Sequence, residues 1–301
     1  MTNATAHEAE QVGGRERSQL SLIASRFFRH KLAVVSLGVF VLICLFAYVG
    51  PLLWEHGYKI DLSLEPRQPP SLEHPFGTDK TGKDMLGAVM KATQLSLGIA
   101  FISAIGASIL GAVVGATAGY FGGWVDSLLM RIVDVLFVIP FLIIVAVVAG
   151  TVPGGASWYN MAFMIAAFGW LGTARAVRAE VLSLREKEFI EAAKSLGASD
   201  GKIIFRHLIP NTMSVILVSA TLQIAFAILA ETTLSYLGLG VQPPSTSLGL
   251  LIEQAGATAF SDLAYLFYIP GVFIILIALT INFVGDGLRD AMDPRQTMVR
   301  R

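Results

Sequence analysis

Six apolar runs, at 32–53, 95–118, 132–150, 161–173, 213–230 and 264–284, punctuate the sequence and leave few folds open to it. A helix needs about 20 predominantly apolar residues to cross roughly 30 Å of hydrocarbon, and inside a bilayer the backbone must satisfy its own hydrogen bonds. The expected architecture is therefore an all-α membrane protein with six transmembrane helices. Composition agrees: 54% of the 301 residues are hydrophobic and 15% charged, and the mean hydropathy is +0.65. That is too apolar for an ordinary soluble domain.

Charge fixes the expected orientation. Arg15, Arg17, Arg26, Arg29 and Lys31 precede the first run, which places the N-terminus in the cytoplasm, and an even number of spans returns the C-terminus there. The connections at 150–160 and 231–263 contain no Lys or Arg, as external segments should. The Pro-rich connection 54–94 holds Lys59, Arg67, Lys80, Lys83 and Lys91 on the expected outer side, but longer loops obey the charge rule weakly. The boundaries are thus a cytoplasmic segment 1–31, a first helix 32–53, an extracytoplasmic loop 54–94, a five-span core 95–285 and a cytoplasmic tail 286–301. A formal net charge of +0 gives no whole-chain field favouring nucleic acid, so electrostatic partners must be local. The single cysteine, Cys44, lies in an apolar run; it excludes an intrachain disulfide and is expected to pack.

The most informative stretch is 170–211, a charged segment between two apolar blocks. It has seven basic residues (Arg175, Arg178, Arg185, Lys187, Lys194, Lys202, Arg206) against five acidic ones (Glu180, Glu186, Glu188, Glu191, Asp200). From Glu186 the sequence favours a helix with an apolar stripe at Phe189, Ala193 and Leu196. Gly197 suits the left-handed backbone that ends a helix, and Ser199 suits the cap of a second, expected from Asp200 to Leu208 and stopping before Pro210. Such a segment either lies on lipid headgroups or docks a protein. Ala192 and Ala193 beside Gly197 favour docking, because small side chains let another surface approach closely.

The run EAAKSLG followed by RHLIPN resembles the EAA loop of permease subunits in binding-protein-dependent ABC importers, with Glu191, Ala192, Ala193, Gly197 and Pro210 on its characteristic positions. His207 and Ile209 depart mildly from the general pattern. HPFGTDKTGKDML, GYFGGWVDSLLMRIVD, ETTLSYLGLGVQPP and GDGLRDAMDPR extend the resemblance to the C-type subunits of the dipeptide, oligopeptide and nickel permease family. Lys83 and Leu248 stand where arginine and tryptophan are common there.

The resemblance implies a type I importer core with a cytoplasmic coupling loop at 174–212, in the cytoplasmic membrane of a prokaryote. It implies three kinds of protein partner besides membrane lipid: a homologous permease forming a heterodimer, two cytoplasmic ATPase subunits and an extracytoplasmic substrate-binding protein. It also implies that ATP and Mg are bound by the ATPases, with no cofactor or catalytic residue in this chain. Peptides are the expected cargo, nickel or another small solute the alternative. An ion-coupled secondary transporter is the rival class, but it requires ionisable groups at mid-membrane, where these runs have almost none.

Gly77–Asp84, GTDKTGKD, nearly satisfies the phosphate-binding G-x-x-x-x-G-K-[ST] pattern, but Asp84 replaces the magnesium-binding hydroxyl and would repel phosphate. A capped turn and a binding-protein contact both remain open for it. All five histidines lie outside the apolar runs, which excludes an intramembrane histidine metal site. Arg131 and Asp134, three residues apart, are expected to pair within a helix or between subunits. Pro140 and Pro270 fall inside spans and are expected to shape packing or kink them.

Overall fold

The computed structural model describes residues 19–58, 64–151 and 157–292. Expectations resting on Arg15, Arg17, Lys59 or the tail beyond Met292 lie outside the described residues. Every element among the described residues is helical: α1 (Gln19–Phe27), α2 (Lys31–Tyr48), α3 (Gly50–Leu53), α4 (Met85–Phe121), α5 (Gly123–Val138), α6 (Phe141–Thr151), α7 (Trp158–Leu184), α8 (Glu188–Ser195), α9 (Asp200–Ile203), α10 (Ile209–Asn211), α11 (Met213–Tyr236), α12 (Leu248–Ala255) and α13 (Tyr265–Met292).

Four helices, α2, α4, α11 and α13, are long and apolar enough to cross a membrane, and α5 with α6 makes a fifth if the pair is one broken span. The expected continuous run at 132–150 is corrected here. It breaks between α5 and α6 with an 80° bend. Ile139 is extended (φ −79°, ψ 123°), because the ring of the following Pro140 disfavours helical backbone at the residue before it. Pro270, by contrast, sits within the single helix α13. The run at 161–173 belongs to the longer α7, whose apolar stretch gives way to Arg175, Arg178 and Glu180.

Other boundaries move for identifiable reasons. The second span begins at Met85 rather than Leu95 because Asp84 caps it, its side chain accepting from the Gly87 N–H. The resulting 37-residue helix is about 55 Å long at 1.5 Å per residue, so it projects beyond the hydrocarbon. The last span continues to Met292, past the expected start of the tail. Cys44 is half-buried and packs against the core.

The core is shared by α4, α11 and α13, with Leu97, Ile99, Ile228 and Ile277 fully buried. Outward faces are equally apolar: Leu42, Ile109 and Ile275 are 64%, 60% and 58% exposed. Helices apolar all round are at home in lipid. The tightest packing joins α4 to α7, where Gly111, Gly115 and Gly119 recur at every fourth position of α4. A methyl on Gly111 would fall 2.8 Å from the Trp170 carbonyl oxygen, one on Gly119 would fall 3.0 Å from that of Arg178, and one on Gly115 would overlap that of Ala174. Small residues at this spacing let two membrane helices meet backbone to backbone.

Cross-helix bonds fix which ends lie together. Gln94, near the start of α4, donates to the Ala47 carbonyl near the end of α2 at 2.6 Å. His30, at the start of α2, lies 3.6 Å from Asp290 near the end of α13. The beginning of α2, the end of α13 and the end of α4 therefore share one side of the bundle.

Gly115→Ala is expected to lower the melting temperature of the detergent-solubilised protein by an amount corresponding to about 1–3 kcal/mol of overpacking. Gly98→Ala, on the same helix with nothing within 4 Å of the added methyl, should leave it unchanged or raise it, since alanine is the better helix former. Equal effects at the two sites would contradict the close α4–α7 contact.

Candidate functional site

The charged segment folds at the shared end of the bundle. The expected loop boundary at 174 is corrected, because α7 continues as helix to Leu184 and its arginines act as tethers. Arg178 forks onto both carboxylate oxygens of Asp126 at 2.5 Å. Arg175 reaches Asp134 at 2.7 Å and lies 4.1 Å over the Phe137 ring. Asp134 thus pairs with α7 and not with Arg131, three residues away on its own helix. Arg185 donates to the Gly119 carbonyl at 3.1 Å, satisfying an orphan acceptor in the last turn of α4.

After Arg185 the chain forms the expected helix, sharp turn and helix. α8 ends in a complete Schellman turn: Gly197 has φ +77°, its N–H bonds to the Lys194 carbonyl at 2.9 Å, and the Ala198 N–H bonds to that of Ala193 at 3.0 Å. This conformation favours glycine. Ser199 occupies the next cap position with extended backbone, but its side chain makes no capping bond, contrary to expectation. The second helix also passes its expected end. α9 leads into a five-residue π-turn, Ile204–Leu208, and then into α10, which contains Pro210. The π register, in which the Ile209 N–H reaches back to the Ile204 carbonyl, widens the turn where an α ladder would press the proline ring on the Arg206 carbonyl.

The expected apolar stripe of α8 is corrected as well. Ile190 is the fully buried anchor, with Ala193 half-buried beside it; they pack with Ile203, Ile204 and Leu208 against Ala116, Tyr120, Val177 and Val181 at the ends of α4 and α7. Phe189, Leu196 and Phe205 instead face outward, 42%, 88% and 60% exposed. The phase of the helix accounts for the difference: Ile190, three before Ala193, completes the inner face, whereas Phe189 and Leu196 lie together on the far side of Ala193, about 100° or more around the helix from Ile190. Of the five residues singled out, Glu191, Ala192, Gly197 and Pro210 are exposed and only Ala193 turns partly inward. Two polar ties hold the unit down: the Tyr120 hydroxyl donates to Asp200 at 2.6 Å, and Lys194 lies 5.3 Å over the Tyr120 ring.

A second buried feature escaped the sequence reading. Glu231 on α11 is fully buried and accepts from Ser235 at 2.7 Å and from Ser96 of α4 at 3.2 Å. Ser96 Oγ in turn accepts from the Leu248 N–H at 3.1 Å, so one carboxylate joins α4, α11 and the start of α12. Its place at the edge of an apolar run was legible; its three-helix role depends on long-range packing.

The fold is that of an importer permease. A solved inward-facing structure of the MetNI methionine ABC transporter matches 69% of this chain and 98% of its own with a TM-score of 0.53 at 18% identity. Residues 107–298 match the family described as binding-protein-dependent transport system inner membrane component, and residues 18–70 match the N-terminal TM domain of oligopeptide transport permease C. The chain belongs to this family, which makes it an inner-membrane transport component and not an enzyme. It is 42% identical over 287 residues to the oligopeptide transport system permease protein OppC of Mycobacterium tuberculosis, covering 94% of this chain and 97% of that one. It is 36% identical to OppC of Bacillus subtilis, covering 97% and 95%, and 36% identical to the dipeptide permease DppC of the same organism, covering 96% and 89%.

Glu231→Ala, which strands the Ser96 and Ser235 hydroxyls, is expected to destabilise the folded chain by about 1–3 kcal/mol. Glu231→Gln, which keeps an acceptor, should lose less. Thermal unfolding of the purified variants checks the order.

Proposed function

We propose that this chain is one permease subunit of an ATP-driven importer and helps form the path by which dipeptides or oligopeptides cross the cytoplasmic membrane. The observation that carries this reading is the extent of the likeness: relatives named for oligopeptide and dipeptide transport match at least 94% of the chain. In this reading α2, α4, the bent α5–α6 pair, α7, α11 and α13 are six spans, with both termini and the 186–211 unit cytoplasmic. The contacts that gather the start of α2, the end of α13 and the end of α4 on one side support it, as does the concentration of Lys and Arg in 170–211.

The unit at 186–211 serves as the coupling element. Its inner face is fastened to α4 and α7, while its outer face offers Glu191 for a polar contact, Ala192 and Gly197 for close approach, and Phe189 and Leu196 as large apolar anchors. Pro210 ends the unit where it re-enters the bundle. An ATPase subunit seated on that face, drawn toward its twin by ATP, would move the unit as a rigid lever and switch a pair of permeases between inward-open and outward-open packings. A homologous permease completes the path, two ATPases bind and hydrolyse ATP with Mg, and a binding protein delivers peptide at the opposite face.

The test is uptake of a radiolabelled tetrapeptide into proteoliposomes holding this chain with its partner permease, ATPases and binding protein. Uptake should require ATP, compete with unlabelled peptides and not with nickel. Ala192→Trp, at an exposed position, and Gly197→Asp should each reduce uptake at least about tenfold, the scale of 1.4 kcal/mol in coupling, while inserting normally. Normal uptake by well-inserted variants would sink the docking role; failure to take up the tetrapeptide with all partners and ATP present, or uptake that nickel competes and unlabelled peptides do not, would overturn the substrate.

A further inference from the structure

At the far end of α4, some 50 Å from the coupling unit by helix rise, two histidines and a carboxylate come together outside any role described above. His56, Glu73 and His74 each present one ligand atom, and these atoms all lie within 4.8 Å of one another. The rings of His56 and His74 are 4.7 Å apart between centroids. His74 is buried, with 2% of its side chain exposed, and its Nδ1 lies 2.9 Å from Oδ1 of Asp84, itself 1% exposed.

That last contact sets the chemistry. The Asp84 carboxylate also accepts from the Trp54 indole N–H and the Gly87 N–H, both at 2.8 Å, so it is held as an acceptor in a fixed orientation. It is placed to accept from an Nδ1–H of His74, the tautomer that leaves the Nε2 lone pair for a ligand. A carboxylate behind a histidine in this way fixes the tautomer and the ring plane that a metal ion requires. The backbone is pinned too: the His74 N–H bonds to Ser71 Oγ at 3.0 Å and its carbonyl accepts from Ser71 and Gly77. His56 is half-buried beside Trp54 and Glu73 is exposed, which gives an ion an open approach and lets two ligands swing onto a third that is already set.

We propose that His56, Glu73 and His74 bind one divalent transition-metal ion of the Zn2+ kind, with Asp84 orienting His74 from behind. Two imidazoles and a carboxylate form a borderline ligand set that suits Zn2+ over Mg2+ or Ca2+. Three protein ligands leave one tetrahedral position for water. The ion closes the chain between His56 and His74 and fastens it, through Asp84, to the first turn of α4. The site is independent of which solute is transported.

The test uses the full chain, purified in detergent without a polyhistidine tag and stripped with a chelator. Titration with Co2+ should reveal one equivalent bound with the intense visible bands of four-coordinate cobalt, bleached by one equivalent of Zn2+, and saturating Zn2+ should raise the melting temperature. His56→Ala and Glu73→Gln should each weaken Zn2+ binding at least about tenfold, the lower end of what losing a supporting group costs, without moving the melting temperature of the metal-free protein. Because those two residues sit on the outer side of the cluster, their loss leaves the His74–Asp84 pair in place. Absence of stoichiometric binding by the wild-type chain, or equal affinity in both variants, would overturn the site.

Discussion

The approach of α4 to α7 is the constraint on which the rest of the molecule depends. Between membrane helices no hydrophobic effect rewards contact, since lipid tails are as apolar as leucine, and association rests on close packing and hydrogen bonds. Gly111, Gly115 and Gly119 remove the side chains that would hold the two backbones apart. The two helices then emerge together at one end, and only there can Tyr120, Val177 and Val181 make a common floor for Ile190, Ile203 and Leu208. A wider α4–α7 spacing would split that floor and leave the 186–211 unit without a seat.

The seat is rigid because apolar burial and polar fastening fall on the same few residues. Ile190 and Ile203 bury completely, and Asp200, Lys194, Arg185 and Arg178 tie the surrounding backbone to α4 and α5. Exposed ion pairs contribute little stability by themselves. Here they fix the orientation of the unit against the ends of α4 and α7. The left-handed Gly197 and the π-turn before Pro210 place two sharp direction changes within one short unit.

The sequence was legible where local rules decide. Gly197 as a left-handed stop and the membrane class both follow from residue chemistry and periodicity. It misled where tertiary packing chooses among similar options. Phe189 is larger than Ile190 and reads as the better anchor, yet the floor formed by α4 and α7 accepts Ile190. Asp134 lies within reach of Arg131 along one helix, yet Arg175 arrives from α7 with an aromatic ring beneath it. Glu231 gives no signal as a three-helix junction, because Ser96 and Leu248 are far from it in the chain.

Two buried carboxylates at the other end of the bundle illustrate how such groups are tolerated in so apolar a molecule. Burying a carboxylate is costly unless its oxygens are satisfied. Glu231 meets the requirement with serine hydroxyls from α4 and α11 and thereby locks helices that approach from different directions. Asp84 meets it with a backbone N–H, an indole and an imidazole, and so joins the first turn of α4 to the chain that precedes it. The hydroxyls around Glu231 have no further chemistry to offer. The imidazole beside Asp84 has a second nitrogen, and the carboxylate that caps the longest helix therefore also prepares that nitrogen for a ligand.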